Sequence, residues 1–112
     1  MADVFDDAIA DALDSLPAPL QQGMANVAVV VEDEPPPGER LFGLYQGVPL
    51  PERTHFDSGR LPDKITIFRG PLERAYGRDP ARLAAEVRRT VLHEIAHHFG
   101  IDDDRLVELD RY

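Results

Sequence analysis

Asp79-Pro-Ala-Arg-Leu-Ala-Ala-Glu-Val-Arg-Arg-Thr-Val-Leu-His-Glu-Ile-Ala-His-His-Phe-Gly100 is the stretch on which the fold of this chain turns. Asp79 is a natural N-cap, and Pro80 suits the first helical position, where a missing N–H costs nothing. Gly100 is a good left-handed residue for closing a helix. The spacing between them predicts a helix to about Phe99. Leu92, Ile95, Ala96 and Phe99 recur at i, i+3, i+4 and i+7 and make an apolar stripe. His93 and His97 stand four residues apart, so they project from one face, a turn apart, away from that stripe.

That spacing carries chemistry. Two imidazoles a turn apart can converge on one metal ion at about 2.0–2.1 Å each. Glu94 is rotated by about 100° from His93. It does not easily join the same ion but can flank a water beside it. The division of labour suits hydrolysis: a zinc ion with three protein ligands keeps a fourth position for water and lowers its pKa towards 7. A neighbouring carboxylate takes the proton and hands it to the leaving amine. A third ligand is needed; Gly100 lets the chain turn sharply after the helix, and Asp103 follows six residues after His97. The run Asp102-Asp103-Asp104 also opens an expected last helix over 103–109, where Asp is favoured as cap and in the first turn. Asp102 as cap and Asp103 as ligand is the preferred division, with Asp104 or Glu108 as alternative ligands. His98 lies about 140° from His93 around the helix, which suits support or packing rather than ligation. His55 is a weaker site candidate in a loop. His98, His55, Tyr45, Tyr76 and Tyr112 are all candidates to hold an oxyanion, and spacing does not choose among them.

Outward from this helix the chain is read more coarsely. Residues 2–15 form a helix, with Val4, Phe5, Ala8, Ile9, Ala12 and Leu13 at helical spacing and five Asp residues on the solvated side. Pro17 and Pro19 stop it. Residues 26–32 form a strand whose unbroken Val/Ala run predicts burial on both faces. Three prolines make 32–38 a loop. Residues 41–48 form a second strand, with Gly43 marking a bulge or a close backbone approach. A long loop follows over 49–63. Residues 64–68 alternate, with Ile65 and Ile67 on one face and Thr66 and Phe68 on the other. A short helical turn is placed near 72–76. The order is helix, three strands and two helices, in a single domain over residues 1–112.

Composition removes several classes of function. Acidic residues number 21 against 12 basic, a net charge of -9, which disfavours binding to phosphate backbones and so to nucleic acid. The chain has no cysteine, which excludes disulfide scaffolds, iron–sulfur clusters and thiolate metal sites. The longest apolar run, 27–31, falls far short of a bilayer span. The N-terminus lacks the basic region of a signal peptide. The expectation is a cytoplasmic protein with no membrane partner.

The run His-Glu-x-x-His-x-x-Gly-x-x-Asp resembles the zincin metallopeptidases, with Asp in place of the metzincins' usual third His. More closely, His93-Glu-Ile-Ala-His-His-Phe-Gly100 with its acidic turn, Leu41-Phe-Gly-Leu-Tyr-Gln-Gly-Val-Pro49 and Leu61-Pro-Asp-Lys-Ile-Thr-Ile67 are similar to a family of short bacterial proteins, the minimal zincin-like metallopeptidases. The resemblance covers most of residues 26–110. It implies a compact α+β fold, with a small three- to four-stranded sheet packed on the His-Glu-x-x-His helix and helices at both termini. It also implies a Zn2+ site of His93, His97 and Asp103, and Glu94 as general base. Zincins bind peptide as a strand added to a sheet edge, so a peptide or protein substrate laid along 41–48 is the expected partner. Two departures stand out. Met1 and Met24 are the only methionines, so no Met-turn follows the motif, and nine residues after Asp103 leave no room for a second lobe. They motivate an alternative, a catalytically weak or inactive zincin-like module that binds metal or a partner. Two His and a carboxylate also describe a non-haem iron triad, but the adjacent Glu favours zinc hydrolysis.

Overall fold

Among the described residues the chain forms seven elements. The computed structural model describes residues 3–47 and 63–100. The elements are α1 (Val4–Asp14), α2 (Ala18–Gly23), β1 (Val27–Glu32), β2 (Gly43–Gln46), β3 (Asp63–Phe68), α3 (Arg69–Tyr76) and α4 (Pro80–His98). Together they form an α+β fold. The expected last helix over 103–109 lies outside the described residues.

α4 has the boundaries its sequence predicts. The Asp79 carboxylate accepts from the N–H groups of Ala81 and Arg82, and Pro80 fills the first turn. Gly100 adopts φ 87° just past the helix, and its N–H donates to the His97 carbonyl at 2.9 Å. A side chain at that φ would be strained.

The sheet has the order β1-β3-β2. β3 is parallel to β1, with Val27 opposite Asp63 and Glu32 opposite Phe68. It is antiparallel to β2, with Gly43 opposite Ile67 and Gln46 opposite Lys64. This order corrects the reading of the strands. β1 was expected to be buried on both faces, yet it is an edge strand of this sheet and none of its residues is fully buried. β3, which alternates in sequence, is the central strand, and Ile65, Thr66, Ile67 and Phe68 are buried on both of its faces. Position in the sheet outweighs the local pattern, because a central strand is covered whatever its alternation. β3 also begins one residue earlier than expected, at Asp63. α2 was not anticipated. It starts at a Pro17 N-cap, because proline stops one helix while presetting the first turn of the next.

The core gathers Phe5, Ala8 and Ala12 from α1, Ile65 and Ile67 from β3, Leu72 from α3, and Leu83, Val87, Val91 and Ile95 from α4. α1 packs along one side of α4, while β2 and β3 meet another. Covered twice, α4 buries a wider sector than one apolar stripe. The expected stripe is therefore shifted. Leu92, Ala96 and Phe99 are half-buried, and the deepest line runs Leu83, Val87, Val91 and Ile95, flanked by Thr90, Glu94 and His98. This shift brings Glu94 and His98, two polar residues of the motif stretch, into the interior.

Asp3 ties α1 to α3. Its carboxylate caps α1 by accepting from the Phe5 N–H at 2.9 Å and receives both Arg69 amines, at 2.7 and 3.3 Å. The Arg69 guanidinium lies 4.5 Å from the centre of the Phe5 ring. The hydrogen bond from Arg69, followed by that from Phe5, holds the Asp3 carboxyl below its ordinary 3.8. A depressed folded-state pKa gives stability that is complete above the unfolded value and lost as pH falls through the folded one. Asparagine caps as well as aspartate, so Asp3→Asn isolates the ion pair. The melting temperatures of wild type and Asp3→Asn are expected to differ at neutral pH and to converge as pH drops below 3.8. The difference corresponds to no more than about 1 kcal/mol for a half-exposed pair. A gap unchanged down to about pH 2 would exclude an ionic contribution.

Candidate metal centre

α4 brings three ligand-bearing side chains to one place. Ligand atoms of His93, Glu94 and His97 all lie within 4.8 Å of one another. The two imidazoles are a helical turn apart, with ring centres 4.9 Å apart and planes inclined at 68°. Both histidines are half-buried, whereas Glu94 is 8 % exposed. Two imidazole nitrogens a turn apart suit a divalent metal such as zinc, and the half-open position of the histidines leaves an approach from solvent. Asp103, Asp102, Asp104 and Glu108 lie outside the described residues, as do His55 and Tyr112.

Glu94 owes its position to Gly43. A Cβ at residue 43 would lie 2.8 Å from Thr90 Cγ2, 3.2 Å from Glu94 Cγ and 3.3 Å from the Thr66 carbonyl. Only glycine lets β2 approach α4 this closely, which answers the sequence question in favour of close approach. Thr90 turns its hydroxyl back to the Glu86 carbonyl, at 2.8 Å.

A cleft of about 450 Å³ opens beside the motif, lined by Arg40, Leu41, Phe42, Tyr76, Arg89 and Thr90 along with His93 and Glu94. Arg89 stands one turn before His93 on the same face. Tyr76 lies against Phe42, with ring centres 5.9 Å apart. Among the oxyanion candidates that the structure describes, Tyr76 lines this cleft, while Tyr45 and His98 are engaged with each other. The Tyr45 hydroxyl donates to Asp63 Oδ2 at 2.5 Å and lies 3.2 Å from His98 Nδ1. His98 is wholly buried, as its angle on the helix suggests. Asp63 was read as the end of a loop. The sign available was the doubled histidine: two adjacent imidazoles cannot face one ion, and the inward one needs a polar partner.

A sequence profile of zincin-like metallopeptidases matches residues 24–112. The chain belongs to this family. No curated protein matches it at a significant level. The match spans β1, β2, β3, α3 and α4, and so includes both walls of the cleft and the whole His-Glu-x-x-His turn. α1 precedes it and supplies Phe5, Ala8 and Ala12 to the core behind α4. No helix among the described residues is long and apolar enough to cross a membrane.

Proposed function

We propose that this zincin-like protein is a zinc-dependent peptidase, with His93, His97 and Asp103 as ligands and Glu94 as general base. The observation that carries the reading is the convergence of His93, Glu94 and His97 within 4.8 Å on a single helix, in a chain of the zincin-like family. When bound, zinc supplies Lewis acidity, which polarises a carbonyl and makes water a nucleophile near neutral pH. Glu94 takes one proton from the attacking water as the new C–O bond forms. It returns that proton to the amide nitrogen as the C–N bond breaks, so the carboxylate is regenerated in each cycle. Its stem is held against the β2 backbone at Gly43, which limits the conformations it can adopt and favours a fixed proton path.

The substrate in this reading is an extended peptide added to the sheet along β2. Among the described residues β2 stands at an edge of the three-stranded sheet, and main-chain pairing there requires no particular side chain. The cleft beside His93 and Glu94 gives room for a flanking side chain. The net charge of -9 disfavours a nucleic-acid partner.

The test combines metal titration with peptide hydrolysis. Wild type is expected to bind one zinc per chain and to cleave a mixed peptide library only when loaded. The double variant His93→Ala/His97→Ala is expected to lose both properties. Zinc binding without any cleavage would favour the alternative of a metal-stabilised binding module.

A further inference from the structure

We infer that Asp63 and Tyr45 act through His98 to set the rotation of the last turn of α4, and with it the direction in which His97 presents its imidazole. This rests on the reading of His97 as a metal ligand. The three residues are positioning residues and touch no substrate.

The geometry is as follows. His98 Nε2 donates to the Gly23 carbonyl at 2.8 Å. That carbonyl belongs to the last residue of α2, where helical acceptors have no partner of their own. His98 Nδ1 lies 3.2 Å from Asp63 Oδ2 and 3.2 Å from the Tyr45 hydroxyl. One ring is therefore fastened to α2, β2 and β3 at once. His98 is 0 % and Asp63 1 % exposed, so water does not compete for these contacts. A buried imidazole held at both nitrogens by three chain segments has no second orientation open to it.

The strand and helix periods explain why the fastening falls here. Gly43 and Tyr45 are two apart on β2 and so share a face, while Glu94 and His98 are four apart on α4 and share a face. Gly43 meets Glu94 and Tyr45 meets His98. β2 thus grips the motif at two successive levels of the helix. The second level is the one that needs it, because α4 ends at His98 and terminal turns fray most readily. His97 lies in that final turn, rotated about 100° from His98. Fixing the His98 ring fixes the azimuth of His97, and ligand geometry tolerates errors of only about 10–20°.

The test uses the full chain. His98→Phe keeps a ring of similar size and loses all three polar contacts. His98→Gln keeps an N–H donor for the Gly23 carbonyl. Phe5→Leu, in the core on α1, serves as a control that lowers the melting temperature without touching this cluster. Zinc affinity is expected to fall roughly 10- to 100-fold in His98→Phe, the range seen when groups behind a metal ligand are removed. It should recover in part in His98→Gln and hold within about twofold in Phe5→Leu. In the metal-free protein, amide exchange in His98→Phe is expected to rise over residues 95–100 and not over 83–91. An affinity no lower than that of Phe5→Leu, or exchange raised evenly along α4, would overturn the inference. Should wild type take up no zinc, the peptidase reading fails, and the exchange pattern alone decides whether His98 holds the turn. If His98→Phe does not fold, Tyr45→Phe bears the same comparison, because it removes only the hydroxyl.

Discussion

Glu94→Gln is expected to bind zinc within a few-fold of wild type while hydrolysing peptide roughly 1,000-fold more slowly, the middle of the range for loss of a general base. Glutamine has the same shape as glutamate, so it fits the space against Gly43 that holds the Glu94 stem. What it lacks is the capacity to accept a proton at neutral pH. The experiment discriminates between two roles, because the Glu94 carboxylate comes within 4.8 Å of both imidazoles. Rotation around the helix argues that it stands beside an ion, yet its proximity also suits a ligand. A ligand role predicts that affinity and rate fall together in the variant, and calorimetric titration separates the cases. Affinity more than tenfold weaker would remove Glu94 from the role of base.

Local signals and long-range contacts divide what could be read in advance. The Asp79 cap, Pro80 and the closing Gly100 act within a few residues of themselves, and α4 has the boundaries they predict. The His93 and His97 juxtaposition was equally legible, since it depends only on helical pitch. The face that α4 buries was not, because it depends on what covers the helix. α1 and the sheet each take a side, and their combined footprint moved the buried sector onto Glu94 and His98. Strand burial failed for the same reason: Val27–Glu32 reads as an interior strand, but the parallel pairing leaves it at the sheet edge and places β3 in the middle. Asp63 was the least legible residue. It is separated from Tyr45 by 18 positions, and nothing local marks an acid at the head of a strand as buried. Gly43 lay between these extremes. Its oddity within a strand was visible, but its partners Thr90 and Glu94 were not.

Gly43→Val tests that close approach by the sign of its effect. At an uncrowded strand position, replacing glycine by valine stabilises, by up to about 1 kcal/mol, because a β-branched residue favours extended backbone. Here the first added carbon would meet Thr90 Cγ2 at 2.8 Å and the Thr66 carbonyl at 3.3 Å, and a backbone oxygen in a central strand cannot move aside. The expected result is a loss of about 1–3 kcal/mol, read as a lower urea midpoint with an unchanged slope. Hydrolysis should fall as well, since the Glu94 stem, 3.2 Å from the same carbon, is displaced with the helix face it belongs to. A double-mutant cycle isolates the steric part. In Gly43→Ala, Thr90→Ser removes the clashing methyl and keeps the hydroxyl that donates to Glu86. Serine should therefore recover stability in the alanine background, with a coupling of about 0.5–3 kcal/mol. The same change in wild type merely trims a buried methyl and should destabilise. If Gly43→Val were as stable and as active as wild type, β2 would not press against α4 at this level. The strand would then have no part in fixing Glu94.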